Sequence, residues 1–421
     1  MREGLVIGID LGTSGVRAVA MRGDRVVAGV GSSAFSGSGW RTPDAWWHAV
    51  EEALDKLLAG IDRDAVCAVA VDGTSGTMLA VDDHGRSVAP ALMYNDAVED
   101  ADVIARIGAV APAGSAAHGA TSGLAKALIL QKQANVARLL HQADWIAGRL
   151  LGRFDTSDEN NALKTGYDPI TGAWPDWLAT TGLDCALLPH VERPGTGLGR
   201  VTEQVRKRFG FPDHALVVAG TTDGCASFLA TGADRAGDGV TVLGSTLTLK
   251  LLSDRPVFAP EYGIYSHRIN DLWLAGGASN TGGAVLAQFF SGEQLEELSG
   301  RIDPATPSGL DYYPLLRPGE RFPVRDEAWP PRLAPRPDDD ALFLKGMLEG
   351  IAEIECMGYA RLGALGAPVL GSIRTVGGGA ANDTWTSIRR RKLGVPFASV
   401  ASDQAAAGTA RLALIALGAA Q

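Results

Sequence analysis

Three features of the sequence predict a two-domain α/β fold. Apolar runs with the character of buried strands end in an acid beside glycine and hydroxyl residues, at Leu5-Val6-Ile7-Gly8-Ile9-Asp10 and again at Ala215-Leu216-Val217-Val218-Ala219-Gly220-Thr221-Thr222-Asp223. Open α/β sheets display their chemistry at such strand ends. The strand, turn, strand pattern of the opening residues recurs at Val240 to Lys250, about 230 positions later, as expected of a duplicated domain. A chain of 421 residues is also too long for one ordinary core.

The opening strand runs from Leu5 to Ile9, and Gly12-Thr13-Ser14-Gly15 turns it into a second strand, Val16 to Met21. Gly23-Asp24 has the chemistry of a two-residue hairpin turn into a third. No helix follows the first turn, which excludes a Walker loop or a Rossmann fingerprint. Glycine lets the backbone approach a ligand closely, and successive N–H groups with the Thr13 and Ser14 hydroxyls can cradle phosphate oxygens, Asp10 facing them through a metal. The same residues also make an ordinary hairpin turn.

Thr42-Pro43-Asp44 is a helix start, with Trp40, Trp46 and Trp47 expected in the core or a groove wall. A second strand, turn, strand pattern spans Val66 to Val81, with Asp72-Gly73-Thr74-Ser75-Gly76-Thr77 at its bend and Tyr94-Asn95-Asp96 just beyond. Helical patterning covers residues 100–151, and Lys126, inside the apolar run from Leu124, is expected to snorkel to the surface. Asp158, Asn160 and Asn161 are expected in a polar loop, and residues 190–199 in a loop before a helix from Val201 to Phe209. Asp223 lies at a strand end and opens a helix whose positive end suits an anion, although the same position suits a plain N-cap. Gly276 to Gly283 opens another helix, and the Pro-rich residues 304–337 are expected to wrap the surface. A helix from Asp339 to Leu365 and a strand from Ile373 to Val376 precede Gly377-Gly378-Gly379-Ala380-Ala381-Asn382. There the glycines would let an adenine or ribose lie against the backbone, with Asn382 able to bond the base.

Composition narrows the function classes. With 46% hydrophobic and 20% charged residues the chain is soluble and globular in character. A net charge of −10 argues against nucleic-acid or anionic-membrane partners. The basic run Arg389-Arg390-Arg391-Lys392 is expected to be a solvated helix face. The four cysteines lack metal or redox spacing, which suits a reduced, cytoplasmic chain. Because the first strand begins within a few residues of Met1, no signal peptide is expected, and no apolar stretch is long enough to span a bilayer.

Taken in order, Gly8-Ile9-Asp10-Leu11-Gly12-Thr13-Ser14, Gly220-Thr221-Thr222-Asp223, Leu243-Gly244-Ser245-Thr246 and Gly377-Gly378-Gly379-Ala380-Ala381-Asn382 resemble the motifs of the FGGY carbohydrate kinases, within the actin, Hsp70 and hexokinase group of ATP-binding proteins. Asp72 to Thr77, Gln142-Ala143-Asp144-Trp145 and Asn161 to Tyr167 are similar to segments of the short D-ribulose kinases of cyanobacteria and plants. The resemblance implies two ribonuclease H-like domains of mixed sheets flanked by helices around a cleft. Residues 1–230 with a returning helix at 404–421 would form the sugar-side domain, and residues 231–403 the nucleotide-side domain. It also implies transfer of a phosphoryl group from ATP, with Mg²⁺, to a ketopentose, D-ribulose before D-xylulose or another polyol, by a cytoplasmic monomer or homodimer. Asp223 would be the catalytic base; Ser75, Asp96, Asp10 and Asp223 would contact the sugar; Asp10 and Asp223 would hold Mg²⁺ through water. Thr13, Ser14, Gly244, Ser245 and Thr246 would hold phosphates, and Gly378, Gly379 and Asn382 the nucleoside.

Two other classes compete. An ATP-binding switch on the same fold would keep both phosphate turns without a sugar pocket. A hydrolase is suggested by Gly73-Thr74-Ser75-Gly76-Thr77, which lacks the final glycine of a nucleophile elbow and has no evident Ser–His pairing among the seven histidines.

Overall fold

The computed structural model describes residues 4–23, 25–35 and 39–418. The Gly23-Asp24 turn therefore lies partly outside the described residues. The chain divides into two compact units, Met1–Gly232 with His267–Asn270 and Ser402–Gln421, and Ala233–Ser266 with Asp271–Ala401.

In the first unit β1 (Leu5–Leu11), β2 (Gly15–Arg22) and β3 (Val27–Ala34) form an antiparallel meander. β4 (Val66–Gly73) joins β1 in parallel, β10 (Leu216–Thr222) joins β4 in parallel, and β9 (Gly197–Arg200) closes the far edge, in the order β3-β2-β1-β4-β10-β9. The continuous apolar character of β1 has a cause on each face. Leu5, Ile7, Ile9 and Leu11 pack with Trp46, Val50 and Leu54 of α1 (Pro43–Leu58). Gly8 faces the backbone of α13 (Ala405–Gly418), where a Cβ would collide with the carbonyl of Ala406. Thr42 caps α1 by accepting the Ala45 N–H, and Pro43 occupies the first helical position, where no N–H is needed.

β5 (Met78–Val81) pairs with β6 (Arg138–His141), and β7 (Thr156–Asp158) with β8 (His190–Glu192), in separate two-stranded sheets. The expected hairpin from Val66 to Val81 is thus two strands of different sheets. Residues 190–199, expected as loop, supply β8 and the start of β9. The remaining helices of this unit are α2 (Ala101–Val110), α3 (Gly123–Leu130), α4 (Gln142–Leu151), α5 (Glu159–Ala162), α6 (Trp177–Thr180), α7 (Glu203–Phe209) and α8 (Asp223–Ala230). The short strand β13 (His267–Ile269) belongs to it as well.

The second unit repeats the plan. β11 (Asp238–Leu243) pairs antiparallel with β12 (Leu247–Ser253), β12 antiparallel with β14 (Leu272–Ala278), and β11 parallel with β15 (Ser372–Val376). The order β14-β12-β11-β15 has the same neighbours and senses as β3-β2-β1-β4. Its helices are α9 (Gly283–Ala287), α10 (Gly292–Gly300), α11 (Asp340–Ala364) and α12 (Asp383–Leu393). The Pro-rich stretch after α10 contains no regular helix or strand, yet it is not a surface wrap. Tyr312, Tyr313, Leu315 and Phe322 are buried in the core of this unit.

The basic run on α12 also departs from expectation. Arg389 has no exposed surface; its Nε and Nη2 donate to the two Glu355 carboxylate oxygens at 2.6 and 2.7 Å, and its Nη1 to Thr375 Oγ1 at 2.8 Å. Arg390, Arg391 and Lys392 remain exposed. Among the described residues no helix is long and apolar enough to cross a membrane.

Candidate active site

Three neighbouring parallel strands deliver carboxylates to one end of the first sheet. Asp10 on β1 stands in register with Asp72 on β4, and Asp223 is the first residue of α8, directly after β10, whose Thr222 pairs with Gly73. The helix cap is Thr222, so Asp223 is not the N-cap, although its Oδ1 accepts the Gly224 N–H at 2.7 Å.

Asp72 was not among the residues expected to act, and it is fully buried. Thr409 of α13 donates its hydroxyl to Asp72 Oδ2, while Oδ1 meets no N–H or O–H donor. The Asp72 carboxyl instead interacts with that of Asp10, an arrangement that needs a proton between them. Burial first, and the Asp10 charge next, push Asp72 well above the ordinary carboxylate value of 3.8. Burial also raises Asp10, opposed by the hydrogen bond from Asp72 and reinforced by the charge of Asp223. Both carboxyls are thus raised, Asp72 the more strongly, which favours the protonated form at Asp72.

This has a sign. A carboxyl raised above its unfolded value keeps its proton in the fold while the unfolded chain ionises, so stability falls as pH rises above 3.8. Asn at this position can still accept from Thr409 and donate to Asp10 without ionising. Asp72→Asn is expected to melt at or above the wild-type temperature at pH 7 and to flatten the decline of Tm with pH; a melting temperature well below wild type at neutral pH would show that Asp72 is ionised in the fold.

Ser75, the expected sugar ligand, follows β4. Its Oγ is buried and has no hydrogen-bond partner, and its carbonyl accepts from Lys164 Nζ at 3.4 Å. Burial pulls the Lys164 ammonium below its ordinary value, against the favourable charge of Asp223. Lys164 was thus missed as a site residue, although it lies inside the quoted Asn161 to Tyr167 segment. Asp96 accepts the Met93 N–H at 2.8 Å and pairs with Arg41. Burial works against its charge, but the Arg41 guanidinium and the Met93 N–H outweigh it and hold the carboxyl below its ordinary value.

Asp158, Asn160 and Asn161 are not loop residues; they are buried beneath this site. Asp158 caps α5 through the N–H groups of Asn160 and Asn161, both at 2.9 Å. Asn160 Nδ2 donates to Thr221 Oγ1 at 2.9 Å, and Asn161 Nδ2 to the Thr221 carbonyl at 3.0 Å, which fixes the strand end two residues before Asp223. Burial, then the Asp144 charge, raises Asp158 to about 6.

The second unit holds a cleft of about 870 Å³, a size suited to a nucleotide. Gly244, Ser245, Gly378, Gly379 and Asn382 all line it, together with Ala284, Glu296 and Trp385. Gly377 adopts a φ of 89°, and a Cβ there would meet the Leu243 carbonyl at 2.7 Å, so the turn into the cleft requires glycine. Gly378 has open space where a Cβ would stand. The Asn382 amide is partly committed: Oδ1 accepts the Trp385 N–H at 2.9 Å as the cap of α12, and Nδ2 donates to Ser299 Oγ at 2.8 Å. Thr246 lies in the β11–β12 turn outside the cleft lining, and Thr13 and Ser14 are exposed in the β1–β2 turn of the first unit.

No family model matches the chain. It is similar to the xylulose kinase of Streptomyces rubiginosus, 32% identical over 271 residues, covering 60% of this chain and 55% of that protein. It is also similar to the xylulose kinase of Streptomyces coelicolor, 33% identical over 272 residues, with coverage of 60% and 55%. The chain spans about half the length of the curated relatives it matches. The crystal structure of a xylulose kinase from Brucella ovis superposes with a TM-score of 0.84 at 22% identity, covering 99% of this chain and 91% of that one. The chain accordingly shares the two-domain α/β fold of that protein, as the sequence implied.

Proposed function

We propose that this protein is an ATP-dependent kinase of a ketopentose. The observation that carries the proposal is the convergence of Asp10, Asp72 and Asp223 at adjacent strand ends, beside an unpartnered buried Ser75 hydroxyl and the Lys164 ammonium. An ATP-binding switch needs no such sugar-ready hydroxyl. A hydrolase reading fails at Ser75, whose Oγ has no histidine beside it.

In the proposed mechanism Asp223 accepts the proton of the sugar hydroxyl as it attacks, with the Lys164 ammonium facing it. Ser75 Oγ and Asp96 hold other sugar hydroxyls. Thr13 and Ser14 in one unit and Gly244, Ser245 and Thr246 in the other are the proposed phosphate ligands, and Gly378, Gly379 and Asn382 border the nucleoside. ATP, when bound, supplies the phosphoryl group and Mg²⁺ offsets its charge. Among the described residues no three His, Cys, Asp or Glu side chains form a metal cage. The fit is to an ion that keeps most of its water and takes one or two carboxylates. The Asp223 charge adds to the rise of the Asp10 carboxyl, a repulsion such an ion would relieve.

The names of the curated relatives support D-xylulose as the sugar, whereas the Asp72 to Thr77 and Asn161 to Tyr167 segments support D-ribulose. The test is a panel of D-xylulose, D-ribulose, L-ribulose, glycerol and polyols with ATP and Mg²⁺, following ADP release and product mass. Sugar-dependent ADP release with a phosphorylated ketopentose supports the proposal; ATP consumption indifferent to every sugar favours the switch.

A further inference from the structure

Lys126, on α3, has no exposed surface, so it does not snorkel. Its Nζ donates to the carbonyls of Met93 at 2.6 Å, Gly76 at 2.7 Å and Tyr94 at 3.2 Å. All three ammonium N–H groups are thereby used, each on a backbone oxygen. The Asp96 carboxylate, committed to Arg41 and the Met93 N–H, acts on Lys126 only through space. Burial lowers the Lys126 ammonium to about 8, with the Asp96 charge opposing and that of Lys164 adding to the effect.

A buried charge on carbonyls alone is costly. The α3 residues beside it, Leu124, Ala127 and Leu128, belong with Met78, Val103 and Ile107 to an apolar cluster that a methionine would join at less desolvation cost. What the ammonium accomplishes is a junction between two loops. Gly76, with a φ of 88°, directly follows Ser75; Met93 and Tyr94 lie three and two residues before Asp96. A weaker second tie, Tyr94 N–H to Thr77 Oγ1 at 2.9 Å, joins the same loops.

We propose that Lys126 is a positioning residue, whose ammonium sets the spacing between the Ser75 hydroxyl and the Asp96 carboxylate and through it the fit of the sugar. The proposal rests on the kinase reading, in which those two side chains contact the sugar. Replacing Lys126 by Met removes the donor shared by the three carbonyls; the Met93 carbonyl keeps the Asp96 N–H and the Met78–Leu92 bridge still holds the bases of the two loops, so what loosens is the spacing of their tips, while the nucleotide cleft, made wholly of residues from the second unit, is untouched.

Lys126→Met is expected to raise KM for the ketopentose by about tenfold or more, one hydrogen-bonded contact to a substrate being of that order, with KM for ATP within twofold. The double variant with Ser75→Ala should then show little further rise, because the two changes disable one contact. Lys126→Gln, which keeps two N–H donors, should lie between Met and wild type, and it carries the comparison if the Met variant does not fold. An unchanged sugar KM, or equal rises in the sugar and ATP values, overturns the proposal. Amide hydrogen exchange at residues 74–77 and 93–96 separates this from failure of the kinase reading. Faster exchange in the variant supports the tether even where the wild type phosphorylates no ketopentose, and unchanged exchange rejects it whatever the reaction.

Discussion

Asp223→Asn is expected to lower kcat for ketopentose phosphorylation by about 10²–10⁴-fold, the range spanned by the loss of a positioned general base. The substitution preserves shape and the bond to the Gly224 N–H, since an amide oxygen can accept as the carboxylate does. What it removes is the capacity to take a proton and the negative charge facing Lys164 and Asp10. The cleft lined by Gly244, Gly378 and Gly379 contains no atom of Asp223, so affinity for ATP, followed by fluorescence of a labelled analogue, is expected to stay within a few-fold. Loss of turnover with retained nucleotide binding places Asp223 at the proton transfer. Undiminished turnover removes it from that role, and a parallel loss of ATP binding means that it acts on the nucleotide instead.

The largest effect on stability is expected at Arg389. Its guanidinium and the Glu355 carboxylate are both buried, bonded through two N–H groups, and the network extends to Thr375 on one side and to Thr241, which donates to Glu355 Oε1 at 2.5 Å, on the other. These residues come from α12, α11, β15 and β11, so the pair joins two helices to two adjacent strands of the second sheet. Removing one partner strands the other as an uncompensated buried charge, which costs about 3–5 kcal/mol. Arg389→Met and Glu355→Met should each lose about that much in denaturant unfolding, and the double substitution should lose less than either alone. Additive losses would mean that the pair is not electrostatically coupled.

These two positions show what a linear chain reveals. Asp223 stands out because its apolar strand, glycine and hydroxyls are consecutive, and the same local punctuation exposes β1, β11 and their turns. Repetition of that punctuation also gives away the repeated sheet plan. Arg389 does not stand out: its partner lies 34 positions away on another helix, and a run of four basic residues has the composition of a solvated face. Asp158, Asn160 and Asn161 were misjudged for the same reason. They are polar, and only the packing of α5 beneath Thr221 shows that the Asn160 and Asn161 amide N–H groups are bonded internally. Asp72 was visible as part of a motif, but its coupling to Asp10 depends on β1 and β4 being neighbours in register. Lys126 was read as a long side chain that would find water, because nothing local places three carbonyls from residues 76, 93 and 94 around its tip.

The helix α13 has a consequence for how this protein is made. It covers Gly8 of β1 and supplies the hydroxyl that Asp72 receives, yet the ribosome must translate the entire second unit before it emerges. At roughly 5–20 residues per second, β1 and β4 wait tens of seconds with one face of their sheet uncovered. Until Ala406 and Thr409 dock, that apolar surface stays open to solvent, the condition under which a nascent chain is prone to aggregate.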